Sequence, residues 1–474
     1  MHLRSIYQRI APEGLNPRIY IFFLSIPVKL TASALSGVGF VFNNSFCYIA
    51  GTGVWILWFL MLLTFCSAQS ERILSRHVNW MRPAAITACI MLLAAGLIQA
   101  VVIPVTGNDH FSYQNEDSAF AELTSAFKNV FAYNDATALT HQAADNFNDG
   151  LNPYRESNIV EAMLKFDGSS DKLTPLRKGV FEDDFPYPSI EKIETYWQEI
   201  TLTPELKPDE VVSVYGYPSG SFILPSVLLR AGIGDIRLVF LIFTILALGV
   251  VGWLIPANGR VLIVLAVLSS LELANSIAAG ETGFLYFPLL LLGWILIKKQ
   301  WWLSAVFIGA ALAVKQVTWF IMPFYLILAW RTAGVRRLSW SALISLVIFL
   351  GFNIVYIIDD PGLWASSILS PMSRDMFPLG VGFITLVTGG LSGLDAPQIF
   401  TWMECCVWLG CIVWYIFNAA KYPLAGPVLG VLPLFFAWRS LWPYFFYVDI
   451  IIFGCFLIWK AIDNTTINRI YING

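Results

Sequence analysis

Charge is what this sequence has least of. Asp, Glu, Lys and Arg make up 13% of its 474 residues, about half the share usual in soluble domains. An ordinary water-soluble domain is thereby excluded. The charges present form no basic stripe, so there is no footprint for nucleic acid. Cysteine is scarce where it would matter: Cys47, Cys66, Cys89, Cys405, Cys406, Cys411 and Cys455 all fall within apolar runs, and the one long polar segment has none. That distribution speaks against a disulfide framework or a thiolate metal site and reads as small buried apolar residues. A basic N-terminus leads into a long apolar run with no clear small-residue cleavage site, so a cleavable signal peptide is not expected. No internal repeat is evident.

What is abundant is apolar length. Hydrophobic residues make up 57% of the chain, the mean hydropathy is +0.66, and the runs recur near the roughly 20 residues that cross a bilayer. The expectation is an all-α polytopic membrane protein with about twelve crossings by this length criterion. The spans are read at 18–42, 47–66, 84–104, 237–255, 261–279, 283–297, 302–314, 318–330, 338–358, 398–417, 424–437 and 443–460. Arg4, Arg9 and Arg18 precede the first span, and Arg72, Arg76 and Arg82 precede the third. Positive residues mark cytoplasmic loops. The polar insert then lies outside, both termini are cytoplasmic, and the plasma membrane is the expected location. Between residues 105 and 220 there are 20 acidic against 8 basic residues. The chain therefore divides into N-terminal spans (1–104), an extracytoplasmic loop with juxtamembrane helices (105–236), a membrane core (237–358) and a C-terminal membrane region (359–474). The stretch 219–232, broken by Pro225, reads as juxtamembrane or re-entrant, because that choice puts Arg260, Lys298, Lys299, Arg331, Arg336 and Arg337 all inside. Lys29, in the first span, is expected to snorkel or face a cavity.

Within the insert, Asp135–Asp149 has helical periodicity, with Ala136, Leu139, Ala143 and Phe147 on one stripe that would lie on the membrane surface. Gly150 ends the helix and Asn152-Pro153-Tyr154 turns the chain. Asp135 starts it, as a capping carboxylate, a catalytic one, or both. Asp109, beside His110, is the rival carboxylate. His141 and Asp145, four apart, read as a surface pair, and most charges of 155–210 as solvated.

Charges beside apolar runs are more informative, since desolvating them is costly. Glu281 sits in an AAGETG turn, where an exposed turn glutamate is the alternative. Lys315 and Gln316 join two short spans, and Lys315 could equally snorkel from a helix end. Arg439 breaks the charge sidedness among aromatics, where a cation–π or structural arginine is the alternative. Together they suggest an outer-face cavity with one or two carboxylates opposite two cations. Arg and Lys bind phosphate strongly in a low dielectric, and a carboxylate can deprotonate an acceptor hydroxyl.

In their order these pieces resemble the GT-C superfamily, the integral-membrane glycosyltransferases that use polyprenyl-phosphate sugars. The likeness runs from Asp135 through Gly150, Asn152, Pro153 and Tyr154 to Tyr217-Pro218-Ser219. It continues through Gly280-Glu281 and Gly309–Gln316 with Pro323, then more loosely through Ser370-Pro371 and Arg439. Three spans instead of one precede the loop, Ser219 stands where a second proline is common, and the loop is long. The resemblance implies an inverting transfer of a hexose (mannose-like) or pentose from a polyprenyl-phosphate donor to a hydroxyl on a glycan, lipid or protein acceptor. It implies catalytic roles for Asp135 and Glu281 and substrate-binding roles for Lys315, Gln316, Arg439, Tyr154, Tyr217 and Arg374. Asp135 and Glu281 are also the pair that a divalent cation, Mg²⁺ or Mn²⁺, would use. A transporter or flippase of a lipid-linked or anionic substrate is the alternative, and a membrane scaffold with a partner-binding insert is a third.

Overall fold

Lipid offers backbone groups no hydrogen-bond partner, so an apolar run that enters it folds as a helix. The computed structural model describes residues 15–106 and 132–472, with side chains over 15–100 and 132–460. Asp109 and His110, like Arg4 and Arg9, lie outside the described residues. Helices dominate: α1 (Pro17–Val41), α2 (Ser45–Cys66) and α3 (Val78–Thr106) precede the insert. In the insert α4 (Asp135–Asn148) packs on α5 (Gly220–Arg230). The membrane body continues with α6 (Ile236–Leu254), α7 (Ala257–Ser269), α8 (Leu271–Ala278), α9 (Gly283–Leu296), α10 (Trp301–Leu312) and α11 (Val317–Asp359). It closes with α12 (Pro361–Ser373), α13 (Pro397–Asn418), α14 (Ala425–Val431) and α15 (Val448–Ile472). Among the described residues the only strand pairing is parallel and two residues long, Leu379–Gly380 with Arg439–Ser440.

Seven helices are long and apolar enough to cross a membrane, or up to eight if α7 and α8, bent by 55°, form one span. The protein is thus an all-α polytopic membrane protein. The count of twelve does not follow from helix length. Gly283–Leu296, Trp301–Leu312 and Ala425–Phe436 are shorter apolar helices. The separate spans expected at 318–330 and 338–358 run as one 43-residue helix, non-helical only at Ala333 and Gly334. The short α9 is tolerated because protein covers nearly all of it, from Gly283 to Leu291 and again from Gly293 to Leu296. Of the cysteines, Cys66 and Cys455 are buried as expected. Cys405 and Cys406 are exposed on α13, and all seven are free thiols.

Lys29 neither snorkels nor faces a cavity. Its side chain is fully buried, 2.6 Å from Asp449 and 3.3 Å from Glu272, and its ammonium donates to the Phe446 carbonyl at 2.9 Å. Ser33 donates to Glu272 at 2.8 Å. An unpaired ammonium there would forfeit several kcal/mol of solvation, so the sequence supplies partners from α8 and α15, and the charge fastens three helices together.

The insert begins and ends at one clamp. The Tyr133 hydroxyl donates to Asp235 at 2.7 Å and accepts from the Ile236 amide at 3.1 Å, and Arg237 grips Asp235 at 2.7 Å. The stripe expected on the membrane surface is covered by protein instead. Leu139 and Ala143 are buried, Phe147 meets the Phe222 ring of α5 at 5.9 Å, and Asn148 donates to the Ser226 carbonyl at 3.2 Å. His141 is no surface residue either: it is buried and stacked on Phe166 at 4.0 Å, while Asp145 is held by Lys165 at 2.7 Å. The region 155–210 does turn most of its charges outward. Its own small core includes Ile159, Val160, Met163, Phe181 and Ile193.

Candidate functional site

Asp135 is the first residue of α4, and the cap is its neighbour. The Asn134 side chain accepts from the Thr137 amide at 2.9 Å, doing what Ser, Asp or Asn does at such positions. Asp135 accepts only from the adjacent Ala136 amide, at 2.6 Å. With the cap filled by Asn134, the Asp135 carboxylate is not consumed by holding the helix.

The turn between α8 and α9 docks against this helix start. Thr137 donates its hydroxyl to the Gly280 carbonyl. Gly280 has φ +73°, and a Cβ there would lie 2.9 Å from the Thr137 side chain. Position 280 is glycine for both reasons, and the docking carries Glu281 to the neighbourhood of Asp135. From below, the end of α10 brings Lys315, which donates to the Thr282 hydroxyl at 2.6 Å and lies 4.6 Å from the centre of the Tyr217 ring. Tyr217 is held in turn: its carbonyl accepts from the Tyr154 hydroxyl at 2.9 Å. Three residues on, the Gly220 amide donates to the Ala313 carbonyl at 2.8 Å, so close that a Cβ at 220 would lie 2.6 Å from that oxygen. Arg439 arrives on the two-residue strand beside Leu379.

The result is a half-buried group of opposed charges. Asp135 is 8% exposed, while Glu281, Lys315 and Arg439 are partly open. Burial raises the Asp135 carboxyl above its ordinary pKa, opposed by Thr174, the Ala136 amide and the Arg439 cation. Burial likewise raises Glu281, opposed by Lys315 and reinforced by Asp135. It lowers Lys315, opposed by Glu281 and then Asp135. Each of these groups feels another of the set, so the structure gathers Asp135, Glu281, Lys315 and Arg439, from four separate stretches of chain, around one space.

Other expected residues sit differently. Gln316 is buried with its amide spent on the Gly216 and Ile368 carbonyls, at 2.7 and 2.8 Å. It is a brace between loops, and binding substrate would cost it those bonds. Tyr154 is 2% exposed and acts on the space only through Tyr217. Arg374 has Asp209 as its charged neighbour and is not brought to the Asp135 group. Arg439 has no aromatic ring beneath it among the described residues; its nearest hydrogen-bond acceptor is the Phe377 carbonyl at 3.5 Å. Asp135 and Glu281 fit a resident metal poorly. Lys315 already balances both, and among the described residues no three His, Cys, Asp or Glu side chains are grouped to hold an ion.

Sequence reasoning missed four neighbours. Lys172 reaches back to the Ala132 carbonyl at 2.9 Å and stands near Glu281. Thr174 hydrogen-bonds to Asp135. Tyr187 lies near both Asp135 and Arg439, and Tyr444 near Arg439 and Glu281. Tyr444 follows Arg439 closely enough to have been noticed, and Tyr187 stands between two prolines; Lys172 and Thr174 carry no local signal. No family model matches the chain, nor does any curated protein or solved structure.

Proposed function

We propose that this protein is a membrane glycosyltransferase that moves a hexose (mannose-like) or pentose, with inversion, from a polyprenyl-phosphate donor to an acceptor hydroxyl. The observation that carries the reading is the meeting of Asp135, Glu281, Lys315 and Arg439 in one partly open space on the insert face of a membrane body. Asp135 accepts the proton of the acceptor hydroxyl. The acceptor oxygen bonds to the anomeric carbon, the bond from that carbon to the phosphate oxygen breaks, and the electron pair leaves with the phosphate. A raised pKa suits the base, which becomes more basic while still ionised near neutrality. Lys315 is committed to Glu281 and Thr282, so Arg439, with no carboxylate in ion-pair contact among the described residues, is the cation that meets the departing phosphate. The phosphate is its own good leaving group and requires no second acid, unlike a glycosidase.

Counting the short covered helices and both halves of α11 gives twelve crossings, with both termini on one side. The positive-inside rule makes that side the cytoplasm and places the reaction on the outer face of the plasma membrane. Flippase or transporter activity was the rival suggested by intramembrane cations, but the pairing of Lys29 removes its main support. The test is transfer from radiolabelled polyprenyl-phosphate mannose, glucose and arabinose in membranes carrying the protein. Asp135→Ala is expected to lower transfer by about 10²–10⁴-fold, the usual contribution of a general base. Undiminished transfer would remove Asp135 as the base and pass the role to Asp109.

A further inference from the structure

The helix α13 begins at the insert. Arg177, in the insert, makes two 2.6 Å hydrogen bonds to Asp395, just before the helix. Glu404 stands about 10 Å further along it, at 1.5 Å per residue. Its neighbours show which way it faces. Thr401, Trp402, Cys405, Cys406 and Leu409 are exposed, whereas Phe400 is buried and Trp408 half-buried. Phe400, Glu404 and Trp408 are spaced four apart and share one face. Phe400 packs edge-on against Trp438 at 5.3 Å, and Trp408 donates to the Phe320 carbonyl at 3.1 Å. Glu404 thus points into the protein, and the polar group it meets is Tyr444, which also neighbours Arg439 and Glu281.

Every other charge sunk this deep has a partner: Lys29 with Asp449 and Glu272, Arg237 with Asp235. Glu404 has no hydrogen bond or ion pair among the described residues, and neither does the Tyr444 hydroxyl; both keep partial exposure. A carboxylate without partners at membrane depth is costly, so its presence points to something that supplies donors from the open side. A phosphate is not that group, because Glu404 repels it and Arg439 already stands beside Tyr444 to take it. Neutral hydroxyls are: a carboxylate accepts through both oxygens, and a phenol both donates and accepts.

We infer that Glu404 and Tyr444 form the subsite that binds ring hydroxyls of the donor sugar, from the membrane side of the space that Asp135 faces from the insert side. This rests on the transferase reading. Glu404 is then a specificity-determining residue, and the donor class is a sugar that keeps its hydroxyls. The donor phosphate lies at Arg439, the sugar extends between Glu404 and Asp135, and the acceptor comes from the insert side.

The experiment uses full-length protein in membranes with polyprenyl-phosphate mannose, glucose and arabinose and the 2-deoxy and 3-deoxy counterparts of each. Wild type is expected to prefer the hydroxylated form over at least one deoxy counterpart by about tenfold or more, the scale of a hydrogen bond to a charged group. In Glu404→Ala that preference is expected to fall to within about twofold. The donor KM rises about tenfold while kcat stays within about threefold, and the less disruptive Glu404→Gln falls between. If wild type transfers none of the sugars, the transferase reading fails and this one with it. If wild type transfers and both variants keep its deoxy discrimination, only the Glu404 assignment fails. Loss of kcat or of folded protein in both variants, with discrimination intact in what remains, also overturns it in favour of a packing role.

Discussion

Asp135 is under two opposed influences. Burial pushes its proton affinity up, and the Thr174 hydrogen bond, the Ala136 amide and the Arg439 cation draw it down. The first is the larger, so the acid limb of the pH–rate profile is expected above the ordinary aspartate value of about 4. Transfer rises with pH through that limb, because the base works only when ionised. Arg439→Gln removes one of the downward influences. The limb should then move to higher pH by about one unit, alongside a loss in kcat/KM from the phosphate contact. A limb that stays put would separate Arg439 from Asp135. At this scale the sequence was legible where a residue type was costly: Asp135, Glu281, Lys315 and Arg439 each stood out as a charge near apolar runs, and they do meet. Gln316 and Arg374 were misplaced because the sequence does not reveal which carbonyls or carboxylates a long side chain will reach. Glu404 went unremarked because one acid inside a good apolar run reads as noise until its face is known.

Among the elements, the docking of the Gly280 turn on the start of α4 decides whether the two carboxylates share a space. Gly280→Ala demands a left-handed backbone from alanine and drives a methyl group towards Thr137. The backbone cost alone is about 1–2 kcal/mol. The expected outcome is a lower unfolding temperature in detergent together with a fall in kcat, as Glu281 leaves its place. Unchanged values of both would show that the turn can redock. Periodicity correctly predicted α4 and its stop at Gly150, yet assigned its apolar stripe to the membrane. A stripe declares only that something apolar covers it, and α5 does so here. The expected break around 331–337 became a kink, since the Gly334 backbone at φ +82° lets the helix resume at once.

For the molecule as a whole, the buried triad of Lys29, Asp449 and Glu272 ties the first helix to the last. Lys29→Met leaves two carboxylates facing each other without their cation. Breaking such a buried pair costs about 3–5 kcal/mol, read as a lower unfolding temperature and reduced yield. The triple variant Lys29→Met, Glu272→Gln, Asp449→Asn should recover much of that loss. A triple no better than the single would mean that the charges organise the helices rather than merely balance. The all-α membrane class was legible from composition and run length. The number of crossings was not, because a helix sheltered by its neighbours need not match the bilayer, and α9 and α10 do not.

The clamp of Tyr133 on Asp235 has a consequence for how this protein can change. Since the insert leaves and rejoins the body at a single hydrogen-bonded point, the membrane helices constrain its ends but not its contour. For a flexible loop closed at fixed ends, each doubling of length adds only about 0.6 kcal/mol. The lobe between 155 and 210 is therefore free to grow, shrink or be exchanged, and with it the surface offered to an acceptor. The arrangement separates an evolvable outer lobe from a conserved geometry of charge beneath it.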